Sequence, residues 1–168
     1  KGLYRDDPDY YAALVLNHIL GGGSFTSRLY EEVREKRGLA YSVYSYLLPM
    51  DNAALWMGGA GTENATVSVS VELVRNQWAN ARAFGVSQEE LEKAKSNLIG
   101  SFGLRFDNSS AIAGMLVGVQ RRDLGIEYLN ERNSLIERVT LEDVNRVAKR
   151  VLDPDALTVI IVGNPDKV

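Results

Sequence analysis

Two runs of strand-forming residues, 39–48 and 53–60, flank Pro49-Met50-Asp51-Asn52, and most of the remaining sequence carries helical periodicity. Such a pair, joined by a short turn, reads as a β-hairpin. A lone hairpin cannot bury its apolar face, so the helices on either side must cover it. Asp7-Pro8-Asp9 starts the first helix, placing Tyr11, Leu14, Val15, His18 and Ile19 on one face before Gly21-Gly22-Gly23. Ser24 is the expected N-cap of a second helix with Phe25, Leu29 and Val33 four residues apart, stopped by Gly38. Thr62 is the expected cap of a third, with Val67, Val71, Val74, Trp78 and Ala81 inward and Gly85 at its end.

Ser87-Gln88-Glu89-Glu90 is a capping box, followed by the stripe Leu91, Ala94, Leu98 and Phe102. Further helices are predicted over 110–121 and 126–137. A last one starts at Thr140-Leu141-Glu142-Asp143, with Val144, Val147, Ala148 and Val151 inward. After Asp153-Pro154-Asp155, the β-branched run 157–162 is predicted to be a buried strand. The order of elements predicts an α+β class, an antiparallel or mixed sheet with helices packed on one face. With no repeat or linker in 168 residues, it predicts a single domain over 1–168.

The residue inventory narrows the chemistry. The chain has no Cys and one His, which excludes thiolate zinc sites, cysteine nucleophiles and any site needing two imidazoles from this chain. Nineteen basic against 22 acidic residues, a net charge of −3, argue against a nucleic-acid footprint. No apolar run approaches the roughly 18 residues of a membrane span. The chain reads as soluble and as a mature or excised segment, compatible with a bacterial cytoplasm or periplasm, its compartment unknown.

Residues 20–46, LGGGSFTSRLYEEVREKRGLAYSVYSY, join a glycine-rich loop, a charged helix and a tyrosine-rich strand. Gly21, Gly22 and Gly23 let backbone approach a ligand, or simply turn the chain between helices. The P-loop pattern is absent. Arg34 falls in the last turn of the helix and Tyr41 lies at most about 10 Å beyond Gly38. A guanidinium can hold peptide carbonyls and a protonated phenol can donate to a developing oxyanion. Spacing alone equally allows Arg34 to pair with Glu31 or cap the helix, with Tyr41 a half-buried strand residue. His18 reads as a satisfied core histidine, and Glu31, Glu32, Glu89, Glu90 and Glu92 as solvated helix faces. Trp56, Trp78 and the Met residues read as core.

The stretch LGGGSFTSRLYEEVREKRGLAYSVYSYL closely resembles the signature near the start of the second, non-catalytic half of the pitrilysin/insulinase family of zinc peptidases, which includes the mitochondrial processing peptidase. DPDYYAALVLNHILGG, GVSQEELEKAKSNLIGSF and TLEDVNRVAKRVLDPDALTVIIVG resemble the same domain, so the likeness covers nearly the whole chain. It implies a ferredoxin-like two-layer domain that binds no metal of its own and faces a catalytic half carrying H-x-x-E-H and zinc, in the same polypeptide or a separate subunit. In that setting Arg34 would hold a substrate carbonyl, Tyr41 would bind substrate and support the tetrahedral intermediate, and Gly21, Gly22 and Gly23 would form a substrate loop. The domain would complete the peptide-hydrolysing site and be inactive alone. The alternative is an inert structural or peptide-binding member of the family. The family half starts with one or two strands ahead of the segment matching Gly2-Leu3-Tyr4-Arg5. The resemblance therefore implies a chain trimmed at its N-terminal strands, whose open sheet edges promote self-association.

Overall fold

The computed structural model describes residues 1–165. Its sheet, among the described residues, is one antiparallel hairpin. Strand β1 (Ala40–Pro49) pairs with β2 (Ala54–Thr62), and the turn closes with the Met50 N–H on the Ala53 carbonyl at 2.8 Å. Alternation sorts the two faces: Val43, Ser45 and Trp56 are buried beneath helices, whereas Tyr44, Tyr46, Leu55 and Met57 are exposed on the other side. The class is α+β, as the order of elements predicts. The N–H of Gly2 donates to the Ala54 carbonyl at 2.7 Å, bringing the chain's start to the outer edge of β2.

The main core lies between α1 (Tyr10–Asn17), α2 (Val67–Phe84), α3 (Gln88–Gly100), α5 (Tyr128–Glu137), α6 (Leu141–Val151) and the inner face of the hairpin. Leu16, Leu20, Leu91, Ile136, Val144 and Val147 are fully enclosed there, and Trp56 meets Trp78 edge to face at 5.7 Å. Charged residues are buried only with partners. Lys95 donates to the Val139 carbonyl at 3.1 Å, and Arg132 donates to the Leu98 carbonyl at 3.1 Å while lying over the Phe102 ring. Asp7 and Asp9, ahead of α1, bind Arg150 and Arg146 of α6 and tie the two ends of the chain together. Helix α4 (Ser109–Arg121) stands apart, with Val119 its one buried residue. Among the described residues no helix is long and apolar enough to cross a membrane.

Four local expectations are corrected. Residues 157–162 form no strand: Ile160 is 85% and Val162 96% exposed, because no neighbouring strand among the described residues offers a hydrogen-bond ladder. Thr62 does not cap α2, since it closes β2 and its hydroxyl donates to the Leu39 carbonyl at 2.6 Å; a 3₁₀ turn at Asn64–Thr66 precedes the helix. Ser24 is not an N-cap: at φ +48 it opens a 3₁₀ turn, Ser24–Thr26, outside the extended conformation a cap residue needs. His18 is half-buried, yet its Nε2 is enclosed without a hydrogen-bond partner, and burial holds the imidazole below its ordinary pKa, favouring the neutral ring. The capping box at Ser87/Glu90 and the cap at Thr140 form as their sequences predict, and Asp143 completes a second capping box at Thr140.

Candidate functional site

The polar pair singled out in the sequence converges because two irregular elements meet. Arg34 sits on a π-helix, Tyr30–Glu35, recognised by i→i−5 bonding such as Lys36 N–H to Glu31 carbonyl at 2.9 Å. Gly38, at φ +61, reverses the chain, with its N–H on the Arg34 carbonyl at 2.8 Å and the Leu39 N–H on the Val33 carbonyl at 2.9 Å. Only a residue at ease in left-handed backbone makes that turn without strain. Strand β1 then runs back beneath the helix.

A β-bulge sets the direction of Tyr41. Ala40 pairs with Thr62 and Ser42 with Gly61, leaving Tyr41 as the extra residue. Plain alternation from the buried Val43 and Ser45 would turn residue 41 inward. The bulge turns Ala40 inward instead and leaves Tyr41 85% exposed. Its ring lies 5.5 Å from the Arg34 guanidinium, which also sits 4.9 Å from the ring of Tyr30. Each such cation–π contact contributes about 0.5–1 kcal/mol at an exposed site. Phe25 stands edge-on to Tyr30 at 5.0 Å and is itself exposed.

The acids near Arg34 are engaged elsewhere. Glu31 pairs with Lys36 at 2.9 Å, and Glu32 pairs with Lys36 and Arg37, both at 2.6 Å. Among the described residues Arg34 has no ion pair. The half-buried guanidinium is thus oriented by two rings and a side-chain hydrogen bond with Tyr30, and its remaining donors face no acid, fit for a carbonyl or carboxylate.

Beneath the pair, Leu29, Tyr30 and Val33 pack on Ala40 and Val43 in a small second core, joined by Leu73 and Val74. Sequence reasoning missed Arg28, which anchors this unit. Its guanidinium makes a two-pronged bridge to Glu90 at 2.6 and 2.8 Å and donates to the Gly85 carbonyl at 3.1 Å. Glu90 is therefore no solvated face, since the same carboxylate also completes the capping box of α3. Burial alone would raise the Glu90 carboxyl, but hydrogen bonds from Arg28 and Ser87 hold it below the ordinary carboxylate value. With a folded pKa below the unfolded one, this stabilisation is present above about pH 4.5 and is lost as pH falls through the folded value. Arg28→Ala is expected to lower the free energy of urea unfolding at pH 7 by about 2 kcal/mol. It is also expected to flatten the loss of stability on acidification below pH 4.5. Equal stability at pH 7 would contradict the anchoring role.

The glycines have separate duties. Gly21, in the π-turn His18–Gly22 that extends α1, is buried so tightly against β1 that a Cβ there would lie 2.5 Å from Ser45 Oγ and 2.8 Å from the Ser45 nitrogen. Gly23 is buried too, and Gly22 alone of the three is exposed. No His, Cys, Asp or Glu group of the described residues is placed to hold a metal ion, and a chain with one histidine and no cysteine does not fit a zinc site.

Comparison with known proteins identifies the family. The chain is 36% identical over 152 residues to an uncharacterized zinc protease of Streptomyces coelicolor, covering 90% of this chain and 33% of that protein. It is 31% identical over 159 residues to a protein of Helicobacter pylori called a non-peptidase homolog, covering 95% and 37%. The crystal structure of a peptidase M16 inactive domain from Pseudomonas fluorescens superposes with a TM-score of 0.80 at 36% identity, covering 92% of this chain and 36% of that one. The chain thus spans about a third of the length of these relatives. Residues 1–98, which hold the π-helix, the bulged hairpin and both Arg34 and Tyr41, match the family model described as the peptidase M16 inactive domain, and the chain belongs to that family.

Proposed function

We propose that this domain is the substrate-binding, zinc-free half of a zinc metalloendopeptidase, completing the site of an H-x-x-E-H half in the same polypeptide or a separate subunit. The observation that carries this reading is the Arg34 guanidinium, held against two tyrosine rings with no acid partner among the described residues, beside the exposed Tyr41. Zinc bound in the other half supplies the polarised water for attack on a peptide carbonyl. Arg34 donates to a substrate carbonyl and fixes the position of the peptide. The Tyr41 hydroxyl donates to the oxygen on which negative charge grows. Tyr44 and Tyr46, stacked with centroids 6.2 Å apart, extend the exposed aromatic face along β1, where a peptide chain can lie. Gly22, exposed beside Ser24 and Phe25, is the part of the glycine loop open to substrate. The domain alone has no activity. Peptide cleavage by the assembled pair, with Arg34→Ala and Tyr41→Phe compared to the parent, tests the assignment.

The Helicobacter pylori relative keeps a second reading open, an inert structural or peptide-binding member of the family. Under that reading the same substitutions weaken peptide binding and no assembly cleaves peptide.

We also propose that the single domain is completed by a strand preceding Lys1. Three features support it: the outer edge of β2, which pairs with no strand among the described residues, the Gly2 N–H already bonded to Ala54 there, and the unladdered apolar residues 157–162. Left open, such edges favour self-association of the isolated chain. A version extended upstream is expected to sediment as a monomer and melt several degrees higher, since about 1 kcal/mol shifts Tm by about 2–4 °C at this size. An unchanged Tm and unchanged association would contradict it.

A further inference from the structure

Helix α4 presents the surface that the activity assigned to Arg34 and Tyr41 does not use. Between Asp107 and Arg121 no residue is charged, so α4, thirteen residues and about 20 Å long, is apolar or small on all sides from Ser109 to Val119, with Gln120 and Arg121 only at its end. Ala111, Met115, Gly118 and Val119 face the domain, and the main packing partner is the 103–106 turn rather than the sheet. The opposite side carries Ile112, Ala113, Leu116 and Val117, with Val117 60% exposed, and Leu104 on the preceding turn is 76% exposed. A helix standing in water normally sets charged residues on its outer face, and one that is apolar all round is covered in its working state.

We infer that the outer face of α4, centred on Ile112, Leu116 and Val117, is the surface on which the zinc-binding half of the peptidase docks. The inference rests on the two-half reading above. The occupant follows from the relatives: they are about three times as long as this chain, two of the three are called an inactive domain or a zinc protease, and no group among the described residues of this chain is placed to hold zinc. The zinc-binding residues of such a protein therefore lie in its remaining length. A strand added at the edge of β2 completes the sheet, on which α4 does not chiefly pack, and so leaves α4 bare. The complementary surface must itself be apolar and free of charge over about three helical turns, since an unpaired charge placed against α4 would lose its water without gaining a partner.

The test mixes this chain with its H-x-x-E-H half as a separate polypeptide and measures association by sedimentation and calorimetry. Ile112→Asp and Val117→Asp sit at exposed positions and are expected to leave the circular dichroism and Tm of the chain unchanged, while weakening association with the other half at least tenfold. Unchanged association in both variants would overturn the inference. So would a homodimer of the parent chain that Val117→Asp dissociates, which would make a second copy the occupant. Arg34→Ala and Tyr41→Phe are run alongside for peptide cleavage. They are expected to bind the other half normally, and full activity in both would sink the functional reading without touching the result for α4.

Discussion

Tyr41→Phe in the assembled peptidase is expected to lower kcat by about 100-fold with KM little changed, because removing one donor from a developing oxyanion typically costs 100-fold or more. The substitution keeps the ring that lies beside Arg34, so packing and the cation–π contact survive and only the hydroxyl is lost. Arg34→Ala removes more. It abolishes the substrate contact and leaves Tyr30 and Tyr41 without the cation between them, so KM rises together with the fall in kcat. Arg34→Lys is a sharper probe, since an ammonium keeps the charge but loses the planar, two-pronged edge that fits a carbonyl. It is expected to fall between the parent and Arg34→Ala. Steady-state kinetics on a fluorogenic peptide measure all three. A Tyr41→Phe enzyme with parental kcat would show that the phenol plays no part in the reaction.

Gly21→Ala is expected to destabilise the isolated chain by about 2 kcal/mol. The new methyl would meet Ser45 Oγ at 2.5 Å, the Ser45 nitrogen at 2.8 Å and Leu29 Cδ1 at 3.0 Å. Ser45 cannot swing away freely, because its hydroxyl donates to Asn17 Oδ1 at 2.8 Å in a buried bond between α1 and β1. Overpacking of this kind typically costs about 1–3 kcal/mol, and the gain from replacing glycine in helical backbone, about 1 kcal/mol at most, offsets only part of it. Thermal unfolding should show a drop of about 4–8 °C. Gly100→Ala is the control: apart from its own helix backbone and chain neighbours nothing lies within 4 Å of its Cβ position, so Tm should hold or rise slightly. A Gly21→Ala chain melting at or above the parent would contradict the close-packing role.

That role shows where sequence reading reaches its limit. The hairpin, the capping box at Ser87, the cap at Thr140 and the stop at Gly38 were legible because each rests on local chemistry: alternation, a hydroxyl three residues from an acid, a glycine at positive φ. The class followed from their order. Gly21, Gly22 and Gly23 looked alike as a string of letters, yet Gly21 and Gly23 answer to packing and only Gly22 faces solvent. Contact with Ser45, 24 residues away, is invisible to local pattern. Arg34 and Tyr41 could be named but not joined from spacing, since their meeting depends on a π-helix and a bulge, each a one-residue departure from regular period. Arg28 escaped notice because its partner Glu90 lies 62 residues on. The run 157–162 misled because β propensity describes a residue's fit to a sheet and says nothing of whether a neighbouring strand is there.

The central claim is that this chain supplies Arg34 and Tyr41 to a site whose zinc sits in another half. Titrating the chain into its H-x-x-E-H half and following peptide cleavage tests it most directly. The account predicts no cleavage by either component alone, activity that saturates at one chain per catalytic half, and saturation to a far lower plateau with Tyr41→Phe. Cleavage by the H-x-x-E-H half alone, at a rate the chain does not change, would contradict it.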